Sequence, residues 1–115
     1  MIQYLLRKSE RMDIPLGDEL PAQPPITAGE ILLDEFLEPV GLTQKAAAEN
    51  MGMPLNRLNE LIHGKRGVTA DTALRLSELF GTTPQYWMNL QATTDLYEAR
   101  LRRQKRRERE LAGAR

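Results

Sequence analysis

The segment MPLNRLNELIHGKRG, residues 53–67, concentrates side chains that make paired hydrogen bonds. An asparagine amide can bond the edge of an adenine at two atoms, and an arginine can bond guanine or a phosphate in the same way. Leu58, Leu61 and Ile62 recur at three- and four-residue spacing, which predicts an amphipathic helix that buries them. The face opposite these three residues carries Asn56, Arg57, Asn59, Glu60 and His63.

These polar side chains differ in what they can bind. Asn56 and Arg57 are predicted to contact DNA, flanked by Asn59, and the alternative is an ordinary solvated helix face. A carboxylate at Glu60 is tolerable near phosphates only if it accepts a hydrogen bond from a cytosine amine. His63 is expected to bond carbonyls at the C-terminal end of its own helix instead.

The preceding helix has the spacing of a helix-turn-helix. Gln44, Ala48 and Gly52 stand at i, i+4 and i+8, so that a small residue lies at the helix crossing and a glycine in the tight turn. Such a turn lets the next helix enter the major groove, whereas a plain helical hairpin would have no DNA role. The Gln44 side chain and the helix N-terminus would then meet a phosphate, with Lys65 and Arg66 as further backbone contacts.

Capping residues and glycines divide the chain into five predicted helices. Thr27 and Glu30 form a capping box that starts the first helix. Thr83 followed by Pro84 is the favoured start for the last helix. Glycines end the first four helices, at Gly41, Gly52, Gly64 and Gly81. Because no alternating strand pattern or internal repeat is present, the predicted class is all-α.

Composition excludes several kinds of site. The chain of 115 residues has no cysteine and one histidine, which excludes disulfides, cysteine-ligated zinc and a histidine metal cage. No apolar run approaches a membrane span, and the N-terminus does not resemble a signal peptide. The sequence therefore predicts a soluble cytoplasmic protein without a metal, a cofactor or a membrane contact.

Catalysis is the weakest of the functional hypotheses. The glycines show no phosphate-binding pattern, and His63 has no nucleophile partner, since the serines are Ser9 and Ser77 alone. Asp34 and Glu35 are adjacent on a helix and point in different directions, so they do not form an acid/base pair. We therefore expect no enzyme activity, no catalytic residues and no small-molecule substrate.

Three parts of the chain differ in composition. Residues 1–25 hold four of the seven prolines and are expected to form a flexible, extended arm. Residues 26–100 carry the predicted helix-turn-helix DNA-binding domain. Residues 101–115 are predicted to be a basic helical extension or tail.

Charge is distributed unevenly along the chain although its net value is zero. Residues 1–97 contain 8 basic and 13 acidic residues, whereas residues 98–115 contain 8 basic and 3 acidic ones. The folded part is therefore not basic overall, and DNA binding there depends on cations at particular positions. The basic run is either a solvated helix extension or an additional sequence-independent contact with nucleic acid.

From about Pro24 to Arg100 the sequence resembles the HigA antitoxins, a branch of the phage-repressor-like (XRE) helix-turn-helix proteins. The resemblance rests on PPITAGEILLDEFLEP, on the loop HGKRGVTADTALRL and on FGTTPQYWMNLQ, and the last two are more distinctive than a helix-turn-helix alone. It implies a five-helix phage-repressor-like domain. It also implies an antitoxin that neutralises a HigB-type mRNA-cleaving toxin and binds its own operator as a dimer to repress its operon.

The resemblance also assigns residues to roles. The DNA-reading positions of the family correspond here to Gln44 and to Pro54 through Arg57, with Lys65 and Arg66 as backbone contacts. Leu55 either touches a thymine methyl group or packs against the protein, and the helix lacks a Ser or Thr cap at Met53-Pro54. The operator sequence therefore does not follow from the resemblance.

Dimerisation is expected to involve the last helix. Trp87, Leu90, Leu96 and Tyr97 belong either to the core or to a dimer seam, and the resemblance favours the seam. Two operator half-sites about one helical turn apart would require such a dimer. The alternatives to an antitoxin are a stand-alone XRE-type transcriptional regulator and a protein-only binding module that has lost DNA binding.

Overall fold

The computed structural model describes residues 23–113, and that range contains five helices and no strand. The first helix, α1, consists of three consecutive segments, Ala28–Ile31, Leu32–Leu37 and Glu38–Val40. The others are α2 (Gln44–Met51), α3 (Leu55–Ile62), α4 (Ala70–Phe80) and α5 (Pro84–Gly113). The predicted all-α class with five helices is confirmed.

Residues 27–91 form one compact unit, which holds α1 to α4 and the beginning of α5. The described residues 92–113 belong to a second unit and continue α5. Most of the predicted N-terminal arm, residues 1–22, lies outside the described residues, as do residues 114 and 115. Among the residues described, no helix is long and apolar enough to span a membrane.

Threonine caps start four of the helices, including the two predicted at Thr27 and Thr83. The hydroxyl oxygen of Thr27 accepts a hydrogen bond from the backbone N–H of Glu30 at 3.1 Å. Thr43, Thr69 and Thr83 cap α2, α4 and α5 in the same way, at 3.1 to 3.2 Å. Among the five helices of residues 23–113, α3 alone begins without a side-chain cap, after Pro54.

The middle of α1 is a π-helix, Leu32–Leu37, where the sequence predicts an ordinary helix. Pro39 gives a physical reason for the wider turn. Proline has no N–H for the carbonyl of Glu35 four residues earlier, and in an α-helix its ring would press on that carbonyl. The helix then ends at Gly41, with φ of +68°.

A cluster of aromatic rings holds α1, α4 and the start of α5 together. Phe36 lies between Phe80 and Trp87, with ring centroids 5.0 and 5.1 Å away. Trp87 is fully buried, and its indole N–H donates to the hydroxyl of Thr82 at 2.7 Å. Because a buried indole N–H needs an acceptor, this bond fixes the start of α5 against the core.

Candidate DNA-binding surface

The α2–turn–α3 segment has the geometry that the Gln44-Ala48-Gly52 spacing predicts. Ala48 is buried, and its carbonyl accepts a hydrogen bond from the N–H of Met53 at 3.0 Å. Gly52 has φ of +66°, a conformation that glycine adopts without steric cost. The tight turn that separates the two helices is therefore formed as expected.

The two faces of α3 separate as the sequence periodicity predicts. Leu58, Leu61 and Ile62 are buried. The exposed residues at the start and along the outer face are Pro54, Leu55, Asn56 and Asn59, whereas Arg57 and Glu60 are partly exposed. The predicted DNA contacts Pro54 to Arg57 thus lie at the accessible start of the helix, and Asn59 lies further along its outer face.

A hydrogen bond joins the polar faces of α2 and α3. The Asn59 side-chain amide donates to the side-chain carbonyl of Gln44 at 3.1 Å. The Gln44 NH₂ group keeps two donors, which suits it to a phosphate oxygen at the start of α2. The two predicted contacts are therefore held beside each other, and Asn59 orients Gln44.

Arg57 has an unusual environment within α3. Its Nε is buried and has no hydrogen-bond partner among the described residues, although the residue as a whole is partly exposed. A buried N–H without an acceptor typically costs about 1–3 kcal/mol. The guanidinium is thus not committed to an acceptor at Nε within the described part of the chain.

The loop after α3 is tied back to the helix that it follows. Arg66 forms an ion pair with Glu60, with 3.0 Å between Nε and Oε2, and both side chains remain substantially exposed. The Lys65 N–H donates to the carbonyl of Glu60, and Val68 N–H donates to the Gln91 side chain at 2.7 Å. Lys65 and Arg66 therefore extend from a loop that is fixed at both ends.

His63 takes the role expected for it at the end of α3. Its ring Nδ1 lies 2.8 Å from the carbonyl oxygen of Asn59, one helical turn earlier. That carbonyl also accepts the backbone N–H of His63. The prediction that His63 bonds helix-end carbonyls is confirmed.

Arg75 on α4 supports the turn and was not found by sequence reasoning. Its Nη1 donates to the carbonyl oxygens of Met51 at 2.6 Å and of Gly52 at 3.3 Å. Its Nε pairs with Asp71 at 2.9 Å. The sequence signal is limited to the i, i+4 spacing of Asp71 and Arg75, which by itself indicates only a surface ion pair.

Gly29 places α1 directly against the end of α3. A Cβ atom at this position would lie 2.6 Å from the carbonyl oxygen of Ile62 and still closer to that of Leu61. Real Cβ atoms do not approach backbone this closely, so the position requires glycine. Together with Arg75, Gly29 fixes how α3 is presented at the surface.

Charge separates the helix-turn-helix from α1. Residues 28–40 contain four acidic residues and no basic one, whereas residues 44–66 contain four basic and two acidic residues. The four cations of this second segment are Lys45, Arg57, Lys65 and Arg66. The excess of acidic residues within residues 1–97 is therefore compatible with a positively charged surface at α2, α3 and the loop that follows them.

The predicted dimer residues fall into two groups. Trp87 and Leu90 are buried within a single chain, so of the two predicted alternatives, core and dimer seam, they fit the core. Leu96 is 55% exposed and Tyr97 is partly exposed. Of the four predicted seam residues, Leu96 and Tyr97 are therefore the ones accessible to a second copy.

Comparison with known proteins identifies the family. A helix-turn-helix family model matches residues 33–87. Antitoxin HigA-1 of Vibrio cholerae serotype O1 is 47% identical over 81 residues, which cover 70% of this chain and 75% of that protein. The chain belongs to the HigA family of antitoxins. Virulence-associated protein I of Dichelobacter nodosus is 46% identical over 86 residues, 74% of this chain and 77% of its own.

Solved structures of two antitoxins share the fold. Pseudomonas aeruginosa antitoxin HigA with the higBA promoter has a TM-score of 0.69 and 38% identity, over 76% of this chain and 95% of that one. Antitoxin GraA in complex with its operator has a TM-score of 0.65 and 34% identity, over 90% of this chain and 95% of that one. The predicted phage-repressor-like helix-turn-helix fold is confirmed.

Proposed function

We propose that this chain is a DNA-binding antitoxin that represses its own operon as a homodimer and neutralises a HigB-type mRNA-cleaving toxin. The observation that carries the proposal is the exposed start of α3, which presents side chains able to form hydrogen bonds. It follows a formed helix-turn-helix turn in a member of the HigA family. Similar proteins have been solved with promoter or operator DNA. No catalytic residue, metal or cofactor enters this proposal.

Each exposed group receives a role in operator binding. Asn56 and Arg57 contact base edges in the major groove, where paired donors distinguish the bases. Leu55, 45% exposed at the start of α3, is placed to meet a thymine methyl group. Pro54 precedes Leu55 and contacts the backbone of the DNA.

The remaining predicted contacts position the protein. Gln44 and the N-terminus of α2 bind a phosphate, since that end of a helix presents free N–H groups and a partial positive charge. Lys65 contributes a second backbone contact. The carboxylate of Glu60 is neutralised by Arg66 in the free protein, so it does not oppose the approach of phosphates as an isolated charge would.

The domain boundaries enter the proposal as well. Residues 26–100 form the DNA-binding and dimerising part, with residues 1–25 as an arm and residues 101–115 as a basic extension. Leu96 and Tyr97 supply the exposed part of the dimer seam on α5. Two copies related by a two-fold axis would place their α3 helices in successive major grooves about one turn apart.

The proposal is tested with the promoter of the chain's own operon. We expect the purified protein to shift this duplex in preference to a scrambled one, with an affinity that falls steeply as salt rises. Coexpression of this chain with the adjacent toxin gene should restore the growth that the toxin alone arrests, and the two proteins should copurify. Equal affinity for both duplexes would contradict operator recognition.

A stand-alone transcriptional regulator is the second hypothesis. The Escherichia coli K12 relative YbaQ, described as an HTH-type transcriptional regulator, is 43% identical over 74 residues, which cover 64% of this chain and 66% of that protein. The two hypotheses separate at the neighbouring gene and in the toxicity assay. Operator binding without any toxin rescue favours the regulator, whereas rescue with operator binding favours the antitoxin.

A further inference from the structure

The C-terminal part of α5 carries a cationic face that the helix-turn-helix does not use. Residues 100–109 contain seven basic residues and one acidic residue. Arg102, Arg103, Lys105, Arg106 and Arg109 line one shallow groove together with Ala99, and all five cations are exposed. We call these five side chains the basic face.

We propose that the basic face binds the phosphate backbone of duplex DNA without reading its sequence. The proposal rests on the proposed function for the choice of DNA, because a chain that docks its helix-turn-helix on a duplex holds this helix at high local DNA concentration. It goes beyond that function by assigning a second contact, which acts on any base sequence.

The charges of this helix are not balanced by its own acidic residues. Within residues 98–113, Arg106 is the member of the basic face that forms an ion pair. Its partner is Glu110 at 3.5 Å, and both side chains are highly exposed. Meanwhile Arg102 faces Arg106 and Lys105 faces Arg109 at i, i+4, a spacing at which like charges destabilise a helix. A polyanion would remove this repulsion, whereas solvent alone only screens it.

The spacing of the cations suits a duplex. Arg102 and Arg109 lie two helical turns apart on the same side, which corresponds to about 10 Å along the helix. DNA carries one charge for about every 1.7 Å of its axis, so several phosphates lie within that length. Contacts of this kind supply affinity and salt dependence but no base preference.

Other partners fit this face less well. A protein interface needs an apolar centre, and a membrane-surface helix needs an apolar face. The leucines of residues 98–113 are Leu101 and Leu111 alone, and neither lines the groove. Duplex DNA is therefore the partner that fits this helix best, because binding its phosphates requires exposed cations and no apolar surface.

Two matched double variants of the full chain test the proposal. Arg102→Gln/Arg109→Gln removes two charges from the basic face, and Arg100→Gln/Arg107→Gln removes two charges at the same seven-residue spacing from another side. Glutamine retains high helix propensity, and circular dichroism checks that helix content is unchanged. Binding to a random-sequence duplex is followed by fluorescence anisotropy between 50 and 200 mM salt.

We expect the slope of log affinity against log salt to become shallower by about 1.8 per chain in the basic-face variant, at about 0.9 for each lost phosphate contact. Over the fourfold rise in salt, the unaltered protein should then lose about 12-fold more affinity than this variant if one chain contacts the duplex, and about 150-fold more if both chains of the homodimer do. The Arg100→Gln/Arg107→Gln slope should stay close to that of the unaltered protein.

Equal slope changes in the two variants, or none in either, would overturn the proposal. So would a change seen with an RNA duplex and not with DNA. The ratio of operator to random-duplex affinity reports on the helix-turn-helix separately. If that ratio is near one in all three proteins, operator recognition fails, while a slope difference between the variants would still support the basic face.

Discussion

Replacing Arg75 tests whether α4 clamps the turn that presents α3. Arg75→Met keeps the aliphatic stem of the side chain but removes its donors to the Met51 and Gly52 carbonyls and its pair with Asp71. A hydrogen bond from a charged donor contributes about 1.5–3 kcal/mol, and the Met51 bond is short and partly buried. The 3.3 Å bond to Gly52 is weaker, and the exposed ion pair contributes under about 1 kcal/mol.

We therefore expect Arg75→Met to lower the free energy of unfolding by about 2 kcal/mol. Urea titration measures this change, with the fluorescence of the single, fully buried Trp87 as the probe. Asp71→Asn removes only the ion pair and should cost less than about 0.5 kcal/mol. A second control, Arg106→Met, makes the same substitution at an exposed i, i+4 pair and should be nearly neutral.

Arg75 does not clamp the turn if Arg75→Met destabilises the protein no more than Asp71→Asn does. That result would mean that the two carbonyls are equally well satisfied by water, and that α4 does not hold the turn. A loss of stability together with weaker operator binding by the still-folded variant would show that the clamp also positions α3.

Three further predictions concern other parts of the chain. Gly29→Ala should destabilise the protein by about 1–3 kcal/mol, because the added Cβ would clash with the Leu61 and Ile62 carbonyl oxygens. The control Gly113→Ala adds a Cβ with no atom within 4 Å and should be neutral in the same urea titration. Burial and, secondarily, the charge of Glu35 raise the pKa of Tyr86. The folded state therefore holds this proton more tightly, so stability is unaffected below about pH 10 and falls as pH rises through the folded pKa. Thermal melting across this pH range should show a smaller decline for Tyr86→Phe. Leu96→Glu should shift the protein from dimer to monomer in sedimentation while leaving its helix content unchanged; a persistent dimer would remove Leu96 from the seam.

Much of the fold was predictable because its determinants are local. Thr27, Thr43, Thr69 and Thr83 cap helices through hydrogen bonds to residues three positions later, and such bonds follow from sequence spacing. The position of Gly52 in the turn and the buried stripe of α3 are similarly encoded within a few residues.

The supports of the DNA-binding surface were not predictable in this way. Arg75 reaches the Met51 carbonyl across 24 positions, and Gly29 meets the end of α3 more than 30 positions away. Periodicity carries no information on such distant contacts, which depend on how helices pack. Likewise, the sequence placed Trp87 on the last helix but did not decide whether it belongs to the core or to a dimer seam. Its hydrogen bond to Thr82 and its ring contacts depend on the packing of the helices.

The Glu60 side chain shows the same limit at the site itself. As a carboxylate on the outward face, it argued against phosphate binding. Its partner Arg66 is six residues away, beyond the end of α3, and a helix pattern does not predict a bond to a loop residue. The ion pair changes the electrostatic argument, because the two charges neutralise one another before DNA is met.

The most direct test of operator recognition is the affinity of Arg57→Ala for the chain's own promoter and for a scrambled duplex of equal length. Promoter affinity should fall about 5- to 150-fold, corresponding to about 1–3 kcal/mol, while affinity for the scrambled duplex falls much less and the melting temperature does not decrease. Unchanged promoter affinity, or an equal loss on both duplexes, would contradict a base-reading role for α3.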